Sequence, residues 1–149
     1  MPGDFVIIAI AMDAAILKIA MIDDHNLLRN GLANLINSFE GFEVIFEANH
    51  GRDFIDQLPT HGTPDIVLLD INMPEMDGYE TAQWIKENHP EIKVLALSMY
   101  DNETAIIRML KAGARGYILK DSEPVELKAA ICALIEKGFY YSELVSGKL

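Results

Sequence analysis

The chain has 149 residues and one cysteine, Cys132, which suits a single domain of ordinary size and excludes an intramolecular disulfide. Its formal net charge of −11 disfavours nucleic-acid binding by this segment, because such binding depends on Lys and Arg displacing counterions, but it is compatible with carboxylates that hold a divalent cation. No apolar run reaches the ~20 residues that a membrane-spanning helix needs.

Residues 1–16 differ in character from the rest of the chain. The apolar run FVIIAIAMDAAIL (5–17) is too short to cross a membrane, and it contains Asp13. No Lys or Arg precedes this run, so it lacks the charged start of a signal peptide. We treat 1–16 as an apolar N-terminal extension. An upstream extension of the chain, an added edge element and an oligomer contact stay open as its role.

From Leu17 onward, short apolar runs alternate with stretches whose apolar residues recur at helical spacing. In chain order the predicted elements are strand LKIAMI (17–22), helix 25–38, strand FEVIFEA (42–48), helix 52–58, strand DIVLLDI (65–71), helix 78–88, strand IKVLALS (92–98), helix 102–112, strand GYILK (116–120) and a helix to Lys137. Pro59 is predicted to follow the end of the second helix, and Ser122 is predicted to cap the last one. Residues 139–149 are predicted to begin a linker.

The fivefold alternation of strand and helix predicts a parallel sheet with helices on both faces and right-handed crossovers. The run DIVLLDI is apolar between its aspartates, as expected of a strand that is buried on both faces. Residues 17–138 are therefore predicted to form one α/β domain. In such a sheet, functional groups gather at the carboxyl ends of the strands.

Polar side chains end four of the predicted strands. Asp23 and Asp24 follow the first strand, Asp70 ends the third, Ser98 ends the fourth and Lys120 ends the fifth. Any one of them could be an ordinary solvated strand end. Together they place three carboxylates at one edge of the sheet, where something must offset their mutual repulsion. A hard divalent cation such as Mg²⁺, which prefers oxygen ligands, would offset it.

A carboxylate beside a bound cation and a lysine suits phosphoryl transfer. The cation and Lys120 would stabilise charge on the equatorial phosphoryl oxygens while Asp70 attacks a phosphodonor. An acyl phosphate would then form on Asp70, and Ser98 could donate a hydrogen bond to one phosphoryl oxygen.

Four segments resemble, in order and spacing, the hallmark motifs of the receiver domains of bacterial two-component response regulators. They are MIDDH (21–25), VLLDINMPEMDGYE (67–80), LALSMYD (95–101) and GARGYILKD (113–121). The resemblance covers about residues 17–138. It implies the flavodoxin-like receiver fold, a doubly wound sheet of five parallel strands in the order 2-1-3-4-5 with five helices.

Carried over residue by residue, the resemblance implies a site that accepts a phosphoryl group. Asp70 is the implied phosphoacceptor, assisted by Lys120 and Ser98. Ser98 and Tyr117 are the implied switch residues, and the ring of Tyr117 turns inward when the hydroxyl moves toward the phosphate. Packing alone is the other interpretation of Tyr117. Ser98 stands where Thr is more frequent and Asp121 where Pro is frequent, but neither change removes a required group.

The resemblance also implies a metal site. Its direct ligands would be the carboxylates of Asp24 and Asp70 and the backbone carbonyl of Asn72, with Asp23 acting through water or as a second carboxylate. The implied ion is Mg²⁺, which Mn²⁺ could replace. His25, beside the acidic pair, is interpreted as a solvated residue at a helix start rather than as a ligand.

The implied function is that of a cytoplasmic signalling switch and not of an enzyme, beyond self-catalysed phosphotransfer to Asp70 and autodephosphorylation. The implied partners are a sensor histidine kinase and small phosphodonors such as acetyl phosphate. The segments RNGL (29–32), ILKD (118–121) and GFYYS (138–142) resemble regulators with a C-terminal LuxR-type helix-turn-helix domain. Control of transcription through such a DNA-binding domain, missing from this chain, is therefore expected. Formation of a homodimer stays open.

Three other functions stay open. They are a stand-alone receiver that acts through protein contacts, a docking module that no longer takes phosphate, and a metal-dependent phosphatase with an aspartyl nucleophile. The last is disfavoured, because such phosphatases often carry a second aspartate two positions after the nucleophile, where this chain has Asn72. Cys132 is interpreted as a core residue, and Trp84 as a partly exposed or packed residue without a binding role.

Overall fold

The computed structural model of the chain describes residues 15–99 and 103–141. Its elements are, in chain order, β1 (Leu17–Ile22), α1 (Asn26–Ser38), β2 (Phe42–Ala48), α2 (Gly51–His61), β3 (Ile66–Asp70), α3 (Gly78–Asn88), β4 (Lys93–Ser98), α4 (Glu103–Lys111), β5 (Gly116–Leu119), α5 (Pro124–Glu136) and β6 (Tyr140–Tyr141). In these ranges no helix is both long enough and apolar enough to cross a membrane. Most of the predicted N-terminal extension (1–14) and most of the predicted linker (142–149) lie outside the described residues.

All strand pairs are parallel, and the strand order is β2-β1-β3-β4-β5-β6. The predicted order of the first five strands is confirmed, but the predicted number is wrong, because the described residues form a six-stranded sheet. In the extra strand, Tyr140 and Tyr141 pair with Gly116 and Tyr117 of β5. Sequence periodicity could not indicate β6, since two residues are too few to show an alternation.

Helices cover the sheet on both faces, as the alternation of elements predicts. On one face, Phe54 of α2, Ile85 of α3 and Ile106 of α4 are buried against the strands. On the other face, Ile36 of α1 and Ile131 of α5 are buried. Every residue of β3 is buried, because this strand lies in the middle of the three layers. The apolar area buried on both faces stabilises the sheet as a whole. The strands are thereby held in place, and so is the edge at which their polar ends lie.

The predicted end of the second helix is wrong, because α2 continues through Pro59 to His61. Proline removes one backbone hydrogen bond, and near the last turn of a helix this loss does not prevent the turn from closing. The Gly62 N–H closes it by donating to the Leu58 carbonyl at 2.9 Å.

The predicted cap of the last helix is also wrong by one residue. The residue at the cap of α5 is Glu123, and Pro124 occupies the first turn, where its missing N–H costs nothing. The Ser122 N–H is used in the preceding turn, where it donates to the Leu119 carbonyl at 3.1 Å.

Cys132 and Trp84 are partly buried, so Cys132 is less enclosed than a core residue. Burial raises the pKa of the Cys132 thiol, and Glu136 adds to this effect. The Trp84 ring meets Phe54 edge-on, with ring centroids 6.5 Å apart. The Trp84 side chain therefore has a packing role.

Candidate functional site

Four buried polar residues lie at the carboxyl edge of the sheet, and the side chains of three of them, Asp23, Asp70 and Lys120, form one ionic cluster. Asp23 follows β1, Asp70 ends β3, Ser98 ends β4 and Lys120 follows β5. Their exposures are 1%, 4%, 3% and 7% respectively. Charged side chains are rarely buried to this extent unless they are paired, because desolvation disfavours the charged form. The fold thus holds together charges that water would otherwise separate.

Lys120 is the central charge of this cluster. Its Nζ lies 2.9 Å from Asp23 Oδ2 and 3.1 Å from Asp70 Oδ1. The Lys120 backbone N–H donates to the Ser98 carbonyl at 2.8 Å, which ties the end of β5 to the end of β4. One ammonium therefore faces two buried carboxylates, in surroundings where charges interact more strongly than in water.

Burial of Asp70 disfavours the ionised form of its carboxyl group. Burial, and next the negative charge of Asp23, raise the pKa of Asp70 to about 6, although Lys120 favours the charged form. Asp70 Oδ2 is buried and has no hydrogen-bond partner among the described residues. A buried carboxylate oxygen without a partner is costly, so it marks a position suited to a cation or a reacting group.

Asp24 and His25 form the outer side of the cluster, with side chains 34% and 58% exposed. The Nδ1 atom of His25 lies 3.0 Å from Asp23 Oδ1, 4.0 Å from Asp70 Oδ2 and 3.1 Å from Lys120 Nζ. The interpretation of His25 as a solvated residue at a helix start is therefore corrected in part. The ring is mostly exposed and precedes α1, but its Nδ1 lies at the carboxylates.

Arg29 is a residue of this region that the sequence analysis did not identify. Its Nη1 donates to the Asp23 carbonyl at 2.6 Å and to Asn49 Oδ1 at 2.9 Å. Its Nε donates to Glu47 Oε1 at 2.9 Å, and the side chain is only 11% exposed. Arg29 thereby fixes the backbone that carries Asp23. The sequence signal was a single arginine within an amphipathic helix, which by itself predicts a solvated face.

The acidic side chains could hold a metal ion. Asp23, Asp24, His25 and Asp70 each offer one ligand atom, and these atoms all lie within 4.8 Å of one another. Asp23 Oδ2 is close to Lys120 Nζ, at 2.9 Å, but the two are not aligned as a hydrogen bond, and Asp70 Oδ2 is unpartnered in the described ranges. Carboxylate oxygens with spare lone pairs are the ligands that a hard divalent cation prefers, so the residues fit such an ion.

The two remaining predicted site residues, Asn72 and Tyr117, differ in exposure. Asn72 is exposed, two residues beyond Asp70. Tyr117 is fully buried within the core on the α4 face of the sheet. Residues 100–102, shortly after the implied switch residue Ser98, lie outside the described residues.

Replacing Asp70 by Asn is expected to stabilise the domain above pH 6 in the absence of divalent cations. The folded pKa lies above the ordinary 3.8, so the folded state binds the proton more tightly, and ionisation of Asp70 lowers stability as the pH rises from about 4 to about 6. We expect Asp70→Asn to gain about 3 kcal/mol at pH 7.5 and little at pH 4. Urea unfolding in a chelator measures both values. A loss of stability at pH 7.5 would mean that the ion pair with Lys120 outweighs the burial of the charge.

Comparison with known proteins assigns the family. The sequence pattern of the response regulator receiver domain matches residues 19–132. The chain is 33% identical over 133 residues to the transcriptional regulatory protein DegU of Brevibacillus brevis, covering 89% of this chain and 56% of that protein. It is 39% identical over 113 residues to the nitrate/nitrite response regulator protein NarL of Escherichia coli, covering 76% and 52%. The chain thus spans about half the length of these curated relatives.

Solved structures give the same assignment. A LuxR-family two-component response regulator from Aurantimonas is similar with a TM-score of 0.80 and 29% identity, covering 88% of this chain and 93% of that one. The isolated receiver domain of RcsB from Salmonella enterica, solved with the phosphomimetic BeF₃⁻, has a TM-score of 0.80 and 25% identity, covering 89% and 98%. The chain therefore belongs to the response regulator receiver domain family, and its relatives are response regulators of the LuxR and NarL type.

Proposed function

We propose that this receiver domain is a signalling switch in which Asp70 accepts a phosphoryl group. The observation that carries the proposal is the buried Asp70 carboxylate, whose Oδ1 lies 3.1 Å from the buried Lys120 ammonium while its Oδ2 has no hydrogen-bond partner in the described part of the chain. Burial and the charge of Asp23 raise the pKa of Asp70, while the fixed ammonium of Lys120 favours its charged form, and a carboxylate kept in such surroundings fits the role of a nucleophile better than a stabilising role.

The proposed reaction joins Asp70 to phosphorus. A carboxylate oxygen of Asp70 attacks the phosphorus of the donor, the bond from phosphorus to the leaving group breaks, and an acyl phosphate forms. The Lys120 ammonium offers positive charge to the phosphoryl oxygens, and the Ser98 hydroxyl offers them a hydrogen bond. Water later hydrolyses the acyl phosphate, which releases inorganic phosphate and restores the Asp70 carboxylate.

The residues that would hold Mg²⁺, or Mn²⁺ in its place, are Asp23, Asp24, Asp70 and the backbone carbonyl of Asn72. When bound, the cation would neutralise negative charge on the phosphoryl oxygens. The protein's own contribution is to keep the carboxylates together despite their repulsion. Lys120 compensates the buried pair, and the Arg29 contact to the Asp23 carbonyl fixes the first carboxylate in position.

The switch would use two residues next to the site. Ser98 ends β4 and is tied through its carbonyl to Lys120, while Tyr117 lies in β5 with its ring in the core. In the proposed switch, the Ser98 hydroxyl moves toward the phosphoryl group and the inward position of the Tyr117 ring is favoured. Phosphorylation then shifts the population of two existing conformations of the face made by α4, β5 and α5.

The partners follow from the family. We infer a cytoplasmic sensor system in which a histidine kinase, or a small donor such as acetyl phosphate, phosphorylates the domain. DegU is called a transcriptional regulatory protein, and RcsB has been solved in complex with DNA. Because those proteins are longer than this chain, control of transcription through a further DNA-binding domain, with or without dimerisation, is the output that we propose.

Acetyl phosphate and Mg²⁺ are expected to add one phosphoryl group to the chain, visible by intact mass spectrometry after a rapid quench. The adduct should be absent in Asp70→Asn and after chelation of the metal. Asp65→Asn, which changes an exposed carboxylate just before the first residue of the same strand, is the matched control and should leave the adduct intact.

The same samples separate the competing functions. An adduct that persists in Asp70→Asn would assign the phosphoryl group to another residue. No adduct with any donor, together with no binding of beryllium fluoride, would favour a docking module that is independent of phosphate. Sustained turnover of an aryl phosphate would favour a phosphatase.

A further inference from the structure

The sixth strand is a part of the fold that the proposed phosphoryl chemistry does not use. β6 lies at the edge of the sheet, where Tyr140 pairs with Gly116 and Tyr141 pairs with Tyr117. The strand to which it is attached carries the proposed switch residue Tyr117 and leads directly into Lys120. A change in the position of β5 therefore reaches β6 through the backbone pairing.

Gly116 allows the backbone of β6 to approach closely. A Cβ atom at this position would lie 2.9 Å from the Tyr140 carbonyl oxygen and 3.3 Å from Tyr140 Cβ. The Tyr140 N–H donates to the Arg115 carbonyl at 2.9 Å, and the Tyr140 hydroxyl donates to Glu126 Oε1 of α5 at 3.4 Å. These contacts are specific but few, so β6 belongs to the elements that can open locally while the rest of the domain stays folded.

Tyr141 lies beside Tyr117 on the same face of the sheet, because paired residues of parallel strands point to the same side. Neighbouring strands lie about 4.8 Å apart, so the Tyr141 side chain leaves the backbone about one strand spacing from that of Tyr117. Tyr117 is 0% exposed, whereas Tyr141 and Phe139 are 40% and 46% exposed. The rings of Phe139 and Tyr141 stack on each other with centroids 5.2 Å apart. This aromatic pair therefore lies at the edge strand next to β5, on the face of the sheet to which Tyr117 points.

We propose that β6 is a strap that keeps the Tyr117 ring buried and thereby couples the chain beyond α5 to the phosphorylation site. For the Tyr117 ring to leave the core past the edge of β5, the Phe139–Tyr141 pair must first move aside. The packing half of the proposal, that β6 keeps the Tyr117 ring buried, is argued from the contacts above. The coupling half, that β6 and the phosphorylation site influence each other, rests on the proposed function, in which the inward ring accompanies movement of Ser98 toward the phosphoryl group.

Coupling of this kind acts in both directions. If β6 favours the inward ring, then a phosphoryl group that also favours the inward ring stabilises β6 by the same free energy. Phosphorylation would thus tighten the attachment of the segment after α5, and loss of β6 would weaken the affinity of the site for a phosphoryl mimic.

Nitration of Tyr117 tests the packing half without any phosphodonor. Trypsin releases GYILK (116–120), in which Tyr117 is the sole tyrosine, so its reaction with tetranitromethane can be followed by mass spectrometry. The double variant Phe139→Ala/Tyr141→Ala is expected to nitrate Tyr117 about tenfold faster than the unchanged chain. Val125→Ala, which truncates an 81% exposed side chain at the start of α5, should leave the rate unchanged. Equal rates in the double variant and the unchanged chain would overturn the strap.

Amide hydrogen exchange tests the coupling half on the unchanged chain. With Mg²⁺ and beryllium fluoride, the amides of residues 139–141 are expected to exchange at least about fivefold more slowly. Fluorine NMR of the bound beryllium fluoride reports independently whether the site is filled. A filled site with unchanged exchange at 139–141 would overturn the coupling and leave the proposed function standing. Failure of beryllium fluoride to bind would instead count against the proposed function, and the nitration result would still decide the strap.

Discussion

Lys120→Met is expected to lower the free energy of unfolding by about 3–5 kcal/mol near pH 7.5 when no divalent cation is present. The methionine keeps most of the apolar stem but removes the ammonium that lies 2.9 Å from Asp23 and 3.1 Å from Asp70. Two buried carboxylates would then face each other without compensation, and removal of one partner from a buried ion cluster is among the most destabilising single changes.

The loss in Lys120→Met is expected to shrink under two conditions. At pH 5 Asp70 is mostly protonated, since its pKa is already raised to about 6, so less unpaired charge is buried. Mg²⁺ should also restore part of the stability, because binding to the folded state alone adds to it. Urea unfolding over pH and Mg²⁺ concentration measures both effects. Lys111→Met, an exposed lysine in the last turn of α4, is the matched control and should change stability little at any pH.

A loss in Lys120→Met that depends neither on pH nor on Mg²⁺ would contradict the electrostatic account. It would mean that the side chain acts by filling space. The two accounts are separable because a packing defect is insensitive to the ionisation of Asp70, whereas an uncompensated charge is not.

Gly78→Ala is expected to destabilise the domain by about 3 kcal/mol or more. A Cβ atom at this position would lie 2.5 Å from the Asp70 carbonyl oxygen and 2.6 Å from Ile71 Cα, and both of these are backbone atoms that cannot rotate away. The Gly78 N–H also donates to the Ile71 carbonyl at 2.7 Å. Gly78 therefore lets the start of α3 lie against the end of β3, and a methyl group there would displace the backbone that carries Asp70.

Gly31→Ala is the matched control for this experiment. Gly31 lies inside α1, and an added Cβ would meet nothing within 4 Å, so the alanine should stabilise the helix by about 0.5–1 kcal/mol. Thermal and urea unfolding of the two variants should thus shift in opposite directions. A Gly78→Ala variant as stable as the unchanged chain would show that α3 can move away from β3 without cost.

What the sequence by itself determined about this protein is the part that short stretches of chain specify. The apolar runs that alternate with amphipathic stretches predicted five parallel strands and the helices that cover them, because each element shows its own period and its own end signals. The residues that follow the strands predicted that Asp23, Asp70, Ser98 and Lys120 would meet, since all parallel strands end at one edge. The motif strings around them indicated the family.

What only the tertiary structure decided are the features that depend on residues far apart in the chain. β6 pairs with β5 at Gly116, 24 positions before Tyr140, where the missing side chain leaves room for its backbone, and no local pattern could indicate that. Arg29 holds Asp23 through contacts that α1 reaches only when it packs beside β2. The raised pKa of Asp70 likewise results from burial and from the nearby charge of Asp23. Both exist only once the chain has folded.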